Sequence, residues 1–229
     1  MSRSECRWVY TSRMLDAVKN GSAPPPPNTH QRILRVAKEL FANRGYEHTS
    51  TSAIARTAGT SESQLMKHFG SKSGLLEAIF TEGWTAIAAR AQAATETLDD
   101  PVAKLEAIAT TVVGHLERDP EMKVLYLLEG RRIRREGQMV ALTDGFLGFV
   151  RLLDSIIEDC KTRGLLDSDI SPHAVRSALM GLLEGMLRDR FLAERLGFPA
   201  HFTLDTILQM HSLTMNAFLR QRATKAHGS

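Results

Sequence analysis

The sequence predicts an all-α fold of about nine helices. Three features carry that expectation. Apolar residues recur at spacings of three and four from residue 28 onward, and no alternating stretch is long enough to build a sheet. The breaks fall at capping residues, glycines and Asp-Pro or Ser-Pro pairs. With 43% hydrophobic, 24% charged and 6% aromatic residues, the 229-residue chain reads as a globular protein with a sizeable core. Collagen-like, disulfide-framework and wholly disordered readings are excluded. No apolar run reaches bilayer-spanning length, so no membrane role is expected. Cys6 and Cys160 suit a reducing compartment, the cytoplasm, and no CxxC or paired Cys/His spacing suggests zinc.

Residues 1–27 scatter Arg3, Arg7, Arg13 and Lys19 through a weakly apolar stretch ending in Pro24 to Pro27. Lacking an apolar h-region, this part reads as a flexible extension rather than a secretory signal, with a short helix at Thr11–Lys19 as an option. Asn28 with Gln31 forms a capping pair for a helix burying Ile33, Ala37, Leu40 and Phe41, which Gly45 ends in a left-handed conformation. A very short segment (Ile54, Ala55, Ala58) stops at Gly59. Ser61 with Gln64 opens a third helix carrying Leu65, His68 and Phe69. Ser71 caps a longer one with Leu75, Leu76, Ile79, Phe80, Trp84 and Ile87 inward.

Asp100-Pro101 then starts a helix with Leu105, Ile108, Val112 and Leu116 in register, and Asp119-Pro120 ends it. A short helix over Met122–Leu128 follows. A long one over Gln138–Arg163 points Phe146, Phe149, Val150, Leu153, Ile156, Ile157 and Cys160 inward and stops at Gly164. Ser171-Pro172 opens the next, through Val175, Leu179, Leu182, Leu183 and Met186, and the last spans Thr203–Arg220.

The function sits in the first third. From Asn28 to Lys72 seven basic side chains face three acidic ones, a net charge of +4, against +3 for the whole chain, whose isoelectric point is near 9.0. Two helices of about two turns each, joined by Gly59-Thr60-Ser61, make a helix-turn-helix, whose last helix enters a DNA major groove. Glu62, Ser63, Gln64 and Lys67 are the candidate base-reading residues. Glutamine bonds adenine, lysine reaches guanine, and glutamate accepts from cytosine. Thr49, Ser50, Thr51 and Ser61, at helix starts that attract phosphate, join His68 and Lys72 as candidate phosphate contacts.

Ile33-Leu34-Arg35-Val36-Ala37-Lys38-Glu39-Leu40-Phe41-Ala42-Asn43-Arg44-Gly45-Tyr46, then Thr49-Ser50-Thr51, Ile54-Ala55, Ala58-Gly59, Leu65, His68-Phe69 and Ser71-Lys72, resemble the TetR family of transcriptional regulators. Met66 and Lys67 stand where that family commonly carries an aromatic pair. The resemblance implies a homodimer with an amino-terminal DNA-binding head (28–74) and a larger effector-binding and dimerisation domain (75–222), followed by a tail (223–229). It implies double-stranded operator DNA and a small-molecule effector as partners. Met122, Tyr126, Phe146, Phe149 and Met180 are the candidate pocket residues. Leu179, Leu182, Leu183, Met186, Met215 and Phe218 are the candidate interface, on the implied pair of last helices.

Arg131, Arg132, Arg134 and Arg135 read as a solvated loop in preference to an anion site. Met122, Met139, Met180, Met186, Met210 and Met215 could line an adaptable apolar pocket but read in preference as core or dimer packing, and Cys160, facing inward, reads as inert. No HExxH, GxSxG, P-loop or strand-linked GxGxxG is present, and no catalytic residue, metal or cofactor is expected. The alternatives are an accessory DNA-binding protein without an effector, and a helical interaction module.

Overall fold

The computed structural model describes residues 28–130 and 142–219. Among them nine helices follow in order: α1 (Thr29–Arg44), α2 (Thr51–Thr57), α3 (Glu62–Phe69), α4 (Lys72–Thr95), α5 (Pro101–Arg118), α6 (Pro120–Glu129), α7 (Asp144–Thr162), α8 (Pro172–Leu196) and α9 (Leu204–Phe218). The only strand-like pairing among these residues is a bridge between Leu166 and Leu219. The extension with its Thr11–Lys19 option, the Arg131–Arg135 run, Met139 and the 223–229 tail lie outside the described residues.

Helix starts follow side-chain chemistry. Asn28 Oδ1 accepts from the Gln31 amide at 2.9 Å, Ser61 Oγ from Gln64 at 3.1 Å and Ser71 Oγ from Gly74 at 2.9 Å. Asp119 closes α5 and caps α6, accepting from the Met122 amide at 3.0 Å. Thr143 caps α7 through Phe146, so that helix begins at Asp144, later than the Gln138 that periodicity suggested. Thr203 likewise caps α9 from outside. Helix α6 extends past Met122–Leu128 at both ends, starting earlier because Pro120 suits its first turn and running on to Glu129 before Gly130 closes it. Gly45 has φ 84° but ψ 148°, a glycine conformation other than the left-handed helix expected there.

The head is α1–α3 with the first turns of α4, packed on Ile33, Ala37, Phe41, Ile54, Leu65, Leu75 and Leu76, each at most 1% exposed. Helix α4 then runs on unbroken into the body, packing most extensively on α7 and α5. Trp84, 2% exposed, sits among Tyr126, Phe146 and Phe149 with ring centroids at 5.3, 4.8 and 5.3 Å. Head and body are joined where α1 lies on α6, and Lys38 Nζ reaches Asp119 at 2.9 and 2.7 Å.

At Gly145 the first turn of α7 comes close to α4. A Cβ there would stand 2.9 Å from the Thr81 carbonyl oxygen and from the Thr85 nitrogen. Gly145→Ala is therefore expected to lose about 1–3 kcal/mol by forcing the helices apart. Gly148→Ala, whose nearest new neighbour is the Arg151 guanidinium at 3.8 Å, is expected to be neutral or to gain up to about 1 kcal/mol. Urea unfolding of the two variants checks the contrast.

Candidate nucleic-acid interface and body cavities

The turn between α2 and α3 needs a backbone that reverses quickly. Gly59 supplies it at φ 63°, and the Thr60 amide closes the turn on the Ala55 carbonyl at 2.9 Å. Arg32 Nε donates to the Ala58 carbonyl at 2.7 Å and ties α1 to the same turn. Below α3, Leu65 is fully buried and Phe69 stacks on His30 at 4.6 Å. The opposite face is left to solvent.

On that face Ser63, Gln64 and Lys67 are exposed, and their side chains have no hydrogen-bond or ion-pair partner among the described residues. The cap at Gln64 uses its backbone amide, so its side-chain amide stays available. Glu62 is exposed too, but one carboxylate oxygen accepts from the Thr51 hydroxyl, lacing the starts of α2 and α3 together. That bond occupies two candidates on each other.

The phosphate candidates divide. Ser50 and Ser61 are exposed at helix starts, capping Ala53 and Gln64. Lys72 Nζ lies 4.2 Å from the Tyr46 ring centroid and 3.5 Å from the Glu47 carbonyl oxygen. His68 is exposed, edge-on to His30 at 5.6 Å. Thr49 is a correction. It is 2% exposed, its hydroxyl donates to the Gly45 carbonyl at 2.9 Å, and its amide donates to Tyr46. Burial makes it a lock on the α1–α2 turn. Arg44 and Arg56, in the last turns of α1 and α2, are exposed cations without a partner among the described residues. The sequence marked them as basic, and only exposure singles them out.

In the body a cavity of about 40 Å³ is lined by apolar side chains including Trp84, Tyr126, Phe149 and Met180. Two pocket candidates fall outside it. Phe146 packs against Trp84, and Met122 lies beneath Gly83, its Cε 2.6 Å from where a Cβ would stand. The polar part of the wall is Arg176, Glu184 and His211. Arg176 pairs with Asp154 at 2.5 Å, and Glu184 with Arg188. The buried Trp84 Nε1 has no hydrogen-bond partner among the described residues, which leaves a polar group at a cost of about 1–3 kcal/mol. Burial pushes the His211 imidazole below its ordinary pKa, with Glu106 opposing. The Cys160 thiol, fully buried, is pushed up to about 11 by burial and then by Asp159, which removes the thiolate needed for redox sensing.

Of the interface candidates, Leu179 and Met215 are 5% and 0% exposed, consumed by packing within one chain. Neither can face a second subunit. Leu182, Leu183, Met186 and Phe218 are half-buried. The exposed large apolar side chains on the last two helices are Leu196, Met210 and Leu213, and Ala178 and Gly181 of α8 are exposed as well. Among the described residues no group of His, Cys, Asp or Glu could hold a metal, and no helix is long and apolar enough to cross a membrane.

Comparison with known proteins agrees with this geometry. The model described as bacterial regulatory proteins, tetR family, matches residues 33–79, and that of the YsiA-like protein C-terminal region matches 80–196, just over half of the chain. The HTH-type transcriptional regulator UidR of Escherichia coli K12 is 25% identical over 189 residues, 82% of this chain and 92% of that one. The nucleoid occlusion factor SlmA of a Marinomonas strain is 23% identical over 157 residues, 69% of this chain and 80% of that one. The FadR regulator of Bacillus subtilis, solved with stearoyl-CoA, shares the fold with a TM-score of 0.70 at 17% identity, over 82% of this chain and 97% of that one.

Two outcomes follow from the polar groups. Thr49→Val is expected to cost about 1–3 kcal/mol in urea unfolding, because the buried hydroxyl's bond to the Gly45 carbonyl is lost. DNA affinity of the folded variant stays unchanged in anisotropy titrations. The buried His115 and His211 have pKa values lowered from 6.5, burial first among the causes. The unfolded chain thus binds more protons below pH 6.5. Stability is full above that pH and falls as the solution is acidified through it. Unfolding midpoints taken between pH 7.5 and 5 test the slope, and His211→Gln should flatten it.

Proposed function

The chain belongs to the TetR family of DNA-binding transcriptional regulators, and from that premise we propose a homodimeric repressor released from its operator by a small-molecule effector. The observation that carries the reading is the free polar face of α3, with Ser63, Gln64 and Lys67 uncommitted on a rigid, capped helix. Residues 28–74 act as the reading head and 75–222 as the effector-binding and dimerisation domain. Two heads related by symmetry enter successive major grooves about 34–36 Å apart on a near-palindromic site. Lys67 and Gln64 read guanine and adenine, while Ser50, Ser61, Arg56 and Lys72 hold phosphates.

The effector enters beside Trp84. The apolar wall supports a ligand with an apolar chain, and the likeness to a FadR holding stearoyl-CoA supports an acyl thioester. A cavity of about 40 Å³ is far below the roughly 300 Å³ of an ordinary ligand site. Occupation therefore requires the body helices to part, and the ligand favours the expanded arrangement because only that one has room for it. Helix α4 carries the change to the head. The open apolar surface at Leu213, Met210 and Ala178 supports pairing through α8 and α9. The likeness to SlmA and the small cavity support a second reading, an accessory DNA-binding protein with no effector.

An operator selected from genomic fragments by the purified protein decides both points. Lys67→Ala is expected to weaken operator binding by about 1–3 kcal/mol, and Lys67→Ala with Gln64→Ala to abolish discrimination from random duplex, with the dimer intact by light scattering. Unimpaired discrimination by the double variant overturns the reading head. An acyl-CoA should raise the melting temperature and release the operator, both effects lost in the cavity-filling Met180→Trp. A panel of acyl-CoAs that leaves melting and operator binding untouched favours the accessory role.

A further inference from the structure

The joint between head and body contains an arrangement that neither DNA reading nor the apolar cavity uses. Arg90 on α4 donates from Nη1 to Nδ1 of His115 on α5 at 2.8 Å. Arginine carries donors only, so Nδ1 is the acceptor and the neutral ring keeps its proton on Nε2. That Nε2 is buried, with no partner among the described residues, and His115 as a whole is 6% exposed. A carboxylate would satisfy Arg90 better. A neutral imidazole positions the guanidinium without neutralising it.

Three residues on, Arg118 folds back over Gly114, its Nη2 3.5 Å from where a Cβ would stand. Neither arginine has an acidic partner within ion-pair distance among the described residues. With Lys38, His115, Asp119 and Glu121 these two exposed arginines line an open cleft of about 340 Å³. Asp119 is already committed to Lys38 and to the Met122 amide. Glu121 is thus the single acid of that lining left to face two guanidinium groups that lack an acidic partner, whose planar forks suit oxyanions.

We infer that this cleft binds a small oxyanion, a phosphate or carboxylate group, between Arg90 and Arg118, apart from both the reading helix and the apolar cavity. The anion takes up N–H donors that Arg90 does not spend on His115 and relieves the repulsion between two like charges. Lys38 of the head lines the same space, so the site lies where head and body meet. Its binding free energy becomes a coupling between them to the extent that it differs between their arrangements.

The test uses the full chain without DNA at pH 7.5, melted in sodium phosphate or sodium acetate against sodium chloride of equal ionic strength. A saturable rise in melting temperature with phosphate or acetate is expected, and the effective anion assigns the occupant's chemistry. Arg118→Gln, at an exposed position, should melt normally in chloride and bind that anion about tenfold more weakly by calorimetry. Glu121→Gln should bind it about two- to fivefold more tightly, a gain that no loss of folding can mimic. The proposal is overturned if neither anion exceeds chloride. It fails equally if the rise never saturates, or if Arg118→Gln and Glu121→Gln leave it unaltered, since that is general salt exclusion from the surface.

Discussion

The fold depends on α4 being one uninterrupted helix. Its 24 residues, about 36 Å of rod, start inside the head, where Leu75 and Leu76 complete the core, and finish deep in the body at Ala91 and Thr95. There is no proline and no loop at the frontier between the parts, so the head turns wherever that rod turns. Trp84 lies 12 residues from Lys72, a distance of about 18 Å along the axis. In the proposed mechanism, displacement at the indole would reach the head along this one helix, without a chain of relayed contacts.

Much of this was legible before any coordinate. Caps at Asn28, Ser61, Ser71 and Asp100, and stops at Gly59 and Gly164, are local chemistry, and they stand where spacing put them. The inner faces of α4 and α5 followed from apolar residues three and four apart. Failures came where one chain position has two physically different fates. Thr49 looks like any polar residue at a helix start, yet long-range packing buries it. Leu179 and Met215 share the apolar character of an interface residue, and only three-dimensional packing shows that their own subunit has consumed them.

The head–body joint was illegible for a related reason. Lys38, Arg90, His115 and Arg118 are spread over 81 residues and carry no motif. Their meeting is a product of α1 lying on α6 and of the hairpin between α4 and α5. The apolar cavity of the body and the cleft at the joint also differ in kind. One is a narrow apolar seam, closed by ordinary side-chain packing, and the other a cleft lined by charged and polar side chains of the head–body joint.

The Ser61 hydroxyl satisfies the amide at residue 64 from the backbone side, so α3 begins correctly whatever side chain that residue bears. Together with the full burial of Leu65 beneath it, this separates the scaffold from the surface it displays. Positions 63, 64 and 67 can consequently change at little structural risk, and on the proposed reading of α3 duplicated copies of such a gene could part company in their targets while retaining one architecture.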